Sequence, residues 1–211
     1  MSHVDLNHDE RPIRLFNSNF LEFFTHITPI TILIIWLPIL AVCFRLGSLH
    51  PQSNWVITLV GFLVGLFIWT FSEYILHRFL FHFKPKNARQ ERIAFLFHGV
   101  HHAQPKVKTR LVMPPAVAIP LALIFYGLFY LVFEILLGAG QWMYPAFAGF
   151  LIGYLIYDLT HYATHHFPMR KGIWKQLKRL HMSHHYKDPT QLFGVSSPIW
   201  DYVFSTYPQE K

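Results

Sequence analysis

Four long apolar runs constrain the fold of this 211-residue chain more than any other feature. They span residues 28–46, 55–76, 113–137 and 142–160, and none of them contains a histidine. Each is close to the roughly 20 residues that a helix needs to cross about 30 Å of hydrocarbon. Their charged residues, Arg45, Glu73, Glu134 and Asp158, lie within three residues of a run's end. Because a helix satisfies its own backbone polar groups in lipid, we predict an all-α integral membrane protein with four transmembrane helices.

The basic residues are distributed asymmetrically around these runs. The formal net charge is +7, and 17 of the 18 lysines and arginines lie in the N-terminal arm, in residues 76–112 or after residue 160. The connectors 47–54 and 138–141 contain none. We therefore predict two helical hairpins whose basic side faces the cytoplasm, and no nucleic-acid partner is needed to explain the charge. The first run follows an acidic arm without a cleavage pattern, so it is expected to remain in the mature protein.

The length suits a single membrane-embedded domain over residues 1–211. Four phenylalanines at helical spacing in residues 15–24 favour an interfacial helix. Residues 169–180 are typical of a surface helix, either gripping anionic headgroups or simply solvated. Cys43 is the single cysteine, so an internal disulfide is excluded, and it lies in an apolar run.

Histidine is the main functional signal, because eleven of the fifteen histidines fall in four clusters. The clusters are His77 and His82; His98, His101 and His102; His161, His165 and His166; and His181, His184 and His185. All four lie on the predicted cytoplasmic side. Crowded imidazoles would repel one another if protonated and would lose hydration if buried, and a bound metal resolves both problems.

Spacings of three and four residues place most members of each cluster on one helix face. His77 and His82 are five residues apart, about 140° on a regular helix, so either the helix deforms there or the two reach different ions. Ten ligands exceed what one ion needs, which predicts a histidine-dominated centre with two metals. A carboxylate-bridged di-iron bundle is a poor match, because the chain has no Glu-x-x-His motif.

Three further residues are candidates for supporting roles. His161 and His165 already form a helical pair, so His166 is expected either to bind metal or to support a ligand. Asp158 precedes the third cluster by three residues and Glu73 precedes the first by four. Either carboxylate could accept the second ring N–H of a ligand, and a cap or ion pair is the alternative for both. The isolated histidines, expected to be structural, are His3, His8, His26 and His50.

The clusters resemble the histidine boxes of the fatty acid hydroxylase superfamily, membrane non-haem di-iron enzymes with H-x(3-4)-H and H-x2-HH motifs. The four-residue gap in the first box, the third and fourth boxes and the tail from Phe193 to Phe204 are most similar to fatty acid 2-hydroxylases. The resemblance implies ten metal ligands, which are His77, His82, His98, His101, His102, His161, His165, His181, His184 and His185. It also implies a separate electron donor, a b-type cytochrome or ferredoxin, since no segment here resembles the cytochrome domain of many eukaryotic relatives.

By this resemblance the chain is a lipid hydroxylase that uses O2 at two iron ions, and zinc could replace iron in a purified sample because imidazole accepts both. We predict 2-hydroxylation of a fatty acyl chain, free or in a sphingolipid-like lipid. Carotenoid or sterol hydroxylation or desaturation stays open within the superfamily. A membrane metal transporter is the alternative outside it, and it fits less well because transport predicts ligands near mid-membrane.

Overall fold

The computed structural model describes residues 11–208, and every regular element within that range is a helix. In chain order the α-helices are α1 (Asn19–Phe23), α2 (Pro29–Leu49), α3 (Trp55–Ile75), α4 (Ala88–Ala94), α5 (Val100–Ala103), α6 (Pro115–Phe129), α7 (Met143–His166), α8 (Gly172–Tyr186) and α9 (Ile199–Val203). Three π-helical stretches extend them, Leu76–Phe81, Phe95–Gly99 and Tyr130–Leu136, and Gly140–Trp142 forms a 3-10 turn. The all-α class is therefore confirmed for this part of the chain, while His3 and His8 lie outside the described residues.

Polar side chains set where the first two long helices begin. Thr28 precedes Pro29 and accepts a hydrogen bond from the backbone N–H of Thr31 (3.3 Å). Asn54 does the same for Ile57 at the start of α3 (3.0 Å). Such caps satisfy backbone donors that have no partner within the helix.

Helix α7 lies at the centre of the bundle, with 16 of its 24 residues buried. Trp69 of α3 contacts both Phe150 and Tyr157 of α7. Residues that come later in α3 contact residues that come later in α7, so the two helices run parallel. Helices α2 and α6 run antiparallel to α7, as shown for α6 by the pairs of Phe125 with Phe150 and Phe129 with Phe147. The C-terminal ends of α3 and α7 consequently meet at the same end of the bundle.

Glycine allows α3 and α7 to approach closely. A Cβ atom at Gly65 would overlap the backbone carbonyl of Ala146, and one at Gly149 would overlap that of Phe62. Small residues at such crossings let helix backbones come into contact, as is common in membrane proteins. This contact holds the two helices that carry the first and third histidine clusters.

Within residues 11–208, three helices have the length and apolar composition to cross a membrane: Pro29–Leu49, Trp55–Phe81 and Pro115–Leu136. They match the first three predicted runs. The fourth run corresponds to α7, which is long enough but is mostly buried and carries Asp158, Thr160 and His161 towards its C-terminal end. A fourth crossing and the two-hairpin topology stay predictions.

The two predicted surface helices differ from expectation in extent. Only Asn19–Phe23 of the segment 15–24 is helical, with Phe20 and Phe23 more than 70% exposed. Helix α8 begins three residues later than predicted and continues to Tyr186, because its second half is buried through the histidines of the fourth cluster.

Replacing Gly65 by alanine is expected to lower the free energy of unfolding by about 1–3 kcal/mol, because the added methyl group must push α3 away from α7. Gly127→Ala is the matched control, since nothing lies within 4 Å of a Cβ atom at that position. Thermal unfolding in detergent measures the difference. Equal melting temperatures for the two variants would contradict the close contact.

Candidate metal centre

The first cluster is shaped by the π-helical stretch that follows α3. The N–H of His82 donates to the carbonyl of His77 (3.1 Å), five residues earlier, instead of four as in an α-helix. This brings the two rings together, with centroids 4.9 Å apart. The helix therefore deforms, which was one of the two alternatives left open by the spacing.

Ten histidines form two compact groups at this end of the bundle. Within each group, one candidate ligand atom per residue lies within 4.8 Å of all the others. The first group is His77, His82, His98, His102 and His184, and the second is His101, His161, His165, His181 and His185. Such separations suit imidazole nitrogens arranged about a single ion at about 2.1 Å.

The second and fourth clusters are each divided between the two groups. His98 and His102 belong to the first group, whereas His101 between them belongs to the second. The fourth cluster is divided in the opposite way, since only His184 joins the first group. The two groups adjoin, with the ring centroids of His102 and His185 only 4.1 Å apart.

Hydrogen bonds to backbone carbonyls determine the tautomer of two rings in the first group. Nδ1 of His77 donates to the carbonyl of Phe193 (2.5 Å), and Nδ1 of His184 donates to that of Gln191 (2.6 Å). Because a carbonyl can only accept, the proton lies on Nδ1 in each ring and Nε2 carries a lone pair. These Nε2 atoms face those of neighbouring rings at 3.0–3.2 Å. A neutral His82 ring can donate from Nε2 to only one of the lone pairs of His77 and His184, whereas a cation between the rings can accept from all of them.

Burial keeps the rings neutral. It lowers the pKa of His184 to about 4, although the bond to Gln191 opposes this shift. Burial lowers the pKa of His161 to about 3, with repulsion from His184 as a smaller cause. Neutral imidazole is the form that binds metals. The donor set, its neutrality and its spacing therefore fit a pair of transition-metal ions such as iron or zinc.

The second group makes similar contacts between rings but differs in its outer partners. Nε2 of His101 lies 2.8 Å from that of His161 and 2.9 Å from that of His185. In the part of the chain that the structure describes, the Nδ1 atoms of His101, His181 and His185 are buried without a hydrogen-bond partner. The Nδ1 atom of His82 in the first group is unpartnered as well, so the two groups differ in the carbonyl bonds that His77 and His184 make.

The predicted supporting residues make other contacts. Asp158 accepts from the backbone N–H of Met113 (3.1 Å) and the hydroxyl of Tyr154 (3.1 Å), not from a histidine ring, because α7 turns its carboxylate towards the start of α6. Glu73 accepts a hydrogen bond from the backbone N–H of Val195, near the C-terminus. The ring of His77 donates to the carbonyl of Phe193 and not to Glu73. Neither carboxylate therefore makes the ring contact that was one of the two alternatives left open by the spacing.

The other histidines within residues 11–208 lie outside the two groups. His166 is in neither group and packs against Tyr162, with ring centroids 4.6 Å apart. His26 bonds Thr109 (2.9 Å) and His50 accepts from the N–H of Gln52 (3.3 Å), so both have local structural partners. The carbonyl acceptors of His77 and His184 could not be found from the sequence, since a backbone carbonyl leaves no residue-type signal.

A cavity of about 310 Å³ reaches the point where the two groups adjoin. His98, His101 and His161 form part of its wall. Most other lining side chains are apolar, and they come from the N-terminal arm, the π-helical stretch before α5 and the start of α6. The cavity can therefore hold an apolar ligand beside both histidine groups.

Comparison with known proteins gives consistent matches. The family model for fatty acid hydroxylase matches residues 62–206. A dihydroceramide fatty acyl 2-hydroxylase of Arabidopsis thaliana is 36% identical over 94% of this chain and 81% of its own length. A ceramide very long chain fatty acid hydroxylase of Saccharomyces cerevisiae is 40% identical over 90% of this chain, and a human fatty acid 2-hydroxylase is 34% identical over 95%.

The chain spans about half the length of the yeast and human relatives, 48% and 58% respectively. A solved structure of full-length scs7p, in which only the hydroxylase domain is visible, superposes with a TM-score of 0.83 at 38% identity. The superposition covers 92% of this chain and 72% of the solved chain.

Changing one histidine in either group is expected to remove the ion of that group and to leave the other ion bound. Elemental analysis of purified protein should find about two ions per chain, and about one after either His184→Ala or His101→Ala, because each group loses an inner ligand. His50→Ala, outside both groups, is the control. A wild-type content of one or fewer, unchanged in both variants, would contradict the two-metal interpretation.

Proposed function

We propose, since the chain belongs to the fatty acid hydroxylase family, that it hydroxylates a fatty acyl chain at the carbon beside the carbonyl group. The acyl chain would be free or part of a sphingolipid-like lipid, and O2 would be the co-substrate. The observation that carries this proposal is the apolar cavity that reaches both histidine groups. The names of the plant and yeast relatives, which refer to dihydroceramide and ceramide, favour the lipid-linked acyl chain.

The cavity wall suits an acyl chain. Leu96, Val112 and Val117 supply aliphatic surface, while the three histidines lie where the two groups meet. Apolar walls exclude water and bind methylene groups, and the polar groups at one end determine which carbon is near the metals. The protein would thus bind the chain and position its polar end.

The N-terminal arm closes one side of the cavity through Leu15, Phe16, Leu21, Phe24 and Thr25. Arg110, which also lines the cavity, donates to the carboxylate of Glu22 and to the carbonyl of Ile13. Glu22 in turn accepts from the backbone N–H groups of Leu15 and Phe16, both at 2.9 Å. The charge of Arg110 is therefore already balanced, which favours an uncharged acyl group over a free carboxylate as the ligand.

The ten histidines of the two groups are the proposed ligands of two iron ions. Iron bound there would supply the activation of O2 and the attack on an unactivated C–H bond. His77 and His184 would hold their Nε2 lone pairs towards the ion because their Nδ1 protons are engaged by carbonyls. The first cluster lies at the end of the apolar helix Trp55–Phe81, near the expected headgroup level, so the polar end of a lipid lies within reach.

The proposed arrangement in the membrane has four crossings in two hairpins, with α7 as the fourth, and all histidine clusters on the cytoplasmic side. This rests on the three apolar helices, on the antiparallel packing of α2 and α6 against α7 and on the basic residues at one end. Residues 1–211 would act as one membrane-embedded domain. A separate one-electron carrier would supply the reducing equivalents.

Expression in a host that lacks hydroxylated lipids, with an electron donor supplied, should yield 2-hydroxy fatty acids on mass spectrometry of hydrolysed acyl chains. Val117→Trp should abolish this product but leave the metal content unchanged, because it fills the cavity and replaces no member of either histidine group. Hydroxylated sterol or carotenoid with no 2-hydroxy acid would refute the substrate assignment. Metal uptake into cells without any hydroxylated product would favour a transporter.

Cysteine labelling tests the topology. The native Cys43 is buried and can be replaced, after which single cysteines are placed at residues 51, 90 and 175. Reagents that cannot cross the membrane should label position 51 from outside, and label 90 and 175 only after permeabilisation. Outside labelling at 90 or 175 would contradict the proposed orientation.

A further inference from the structure

The segment 191–197, which we call the tail loop, is held against α3 by a buried carboxylate. Glu73 is only 3% exposed and accepts hydrogen bonds from the backbone N–H groups of Val195 (2.6 Å) and Ser196 (2.8 Å). It also accepts from the hydroxyl of Ser196 and from the indole of Trp69 (3.2 Å). Four donors thus converge on one side chain near the end of a membrane-spanning helix.

A second buried carboxylate holds the other side of the tail loop. Asp201 accepts from the backbone N–H groups of Phe193 and Gly194, both at 2.8 Å, and from the hydroxyl of Thr206 (2.7 Å). A Cβ atom at Gly194 would overlap the carbonyl oxygen of Ser197. The tail loop therefore has little freedom to shift.

The backbone of the tail loop is also strained at one residue. Leu192 has a φ of +60°, in the left-handed region that residues other than glycine rarely adopt. Such a conformation is unfavourable and persists only when the surrounding structure imposes it. The hydrogen bonds to Glu73 and Asp201 are in a position to do so.

The strained residue lies between two carbonyl groups that face histidines. Gln191 accepts from His184 and Phe193 accepts from His77, both rings belonging to the first histidine group. The Nδ1 atoms of His101, His181 and His185 in the second group have no such partner within residues 11–208, and neither does Nδ1 of His82 in the first, so the carbonyls of the tail loop engage His77 and His184. The tail loop thus supports only one of the two groups.

We propose that Glu73 and Asp201 are positioning residues, which hold the tail loop so that its carbonyls orient His77 and His184 and strengthen metal binding by the first group alone. The inference rests on the proposed metal centre, but it does not depend on the hydroxylation reaction. Carbonyl partners fix the ring orientation and raise the basicity of a ligating imidazole, and losing such a partner typically weakens metal binding by about 10–100-fold. The two ions should therefore differ in their sensitivity to changes in the tail loop.

Release of Zn²⁺ from purified full-length protein to a colorimetric chelator tests the inference, and it requires no activity. Glu73→Ala should accelerate the release of one ion by about 10–100-fold and leave the other unchanged. Glu73→Gln should restore most of the wild-type rate, because its amide oxygen can still accept from Val195 and Ser196. Asp158→Asn is the control, a buried carboxylate that does not contact the tail loop.

Two backgrounds identify the affected ion. In a His101→Ala protein, which lacks the ion of the second group, Glu73→Ala should accelerate the release of the remaining ion. In a His184→Ala protein, which lacks the ion of the first group, Glu73→Ala should leave the release of the remaining ion unchanged. Equal acceleration in both backgrounds, or no acceleration in either, would overturn the inference.

Gly194→Ala provides an independent test should Glu73→Ala fail to fold. It displaces the tail loop without removing a carboxylate, and it should also accelerate release of the first group's ion only. Unchanged release from a folded Gly194→Ala protein would overturn the inference as well. A wild-type protein that binds no Zn²⁺ would refute the metal centre itself, which separates that failure from the failure of the positioning role.

Discussion

Ten imidazole rings, most of them buried, lie together at one end of the helical bundle, and the rest of the structure depends on keeping them neutral and close. Burial lowers the pKa of rings such as His161 and His184 far below the ordinary value, so protonation cannot relieve the contacts between nitrogens. Where a carbonyl holds the Nδ1 proton, the Nε2 lone pair points inward. Neutral donors with converging lone pairs are what a pair of metal ions needs, and little else would stabilise them.

The packing of the helices brings these rings to one end of the bundle. Close contact through Gly65 and Gly149 lets α3 run parallel to α7, so that two helices bring histidines to the same end. Helices α5 and α8 then each contribute rings to both groups, which makes the two groups one unit. The apolar cavity reaches their junction, and the N-terminal arm closes it. A substrate carbon placed there would be near both ions.

The sequence predicted much of this because its strongest signals are local. Apolar runs of membrane length predicted the all-α class, and histidines at helical spacing marked the four clusters. The family resemblance then implied ten of the eleven clustered histidines as ligands, the ten that form the two groups. The division of His98, His101 and His102 between two groups was not predictable, since it depends on how α5 faces α8. The partners of Glu73 and Asp158 were left open between a ring contact and a cap or ion pair, because spacing along one helix says nothing about loops that arrive from elsewhere, such as residues 191–197.

Anomalous X-ray scattering at the iron absorption edge, from crystals of iron-loaded protein, would locate the ions directly. Two separate peaks are expected, one among His77, His82, His98, His102 and His184 and the other among His101, His161, His165, His181 and His185. A single peak shared by the two groups, or peaks elsewhere with both groups free of metal, would contradict the two-metal interpretation.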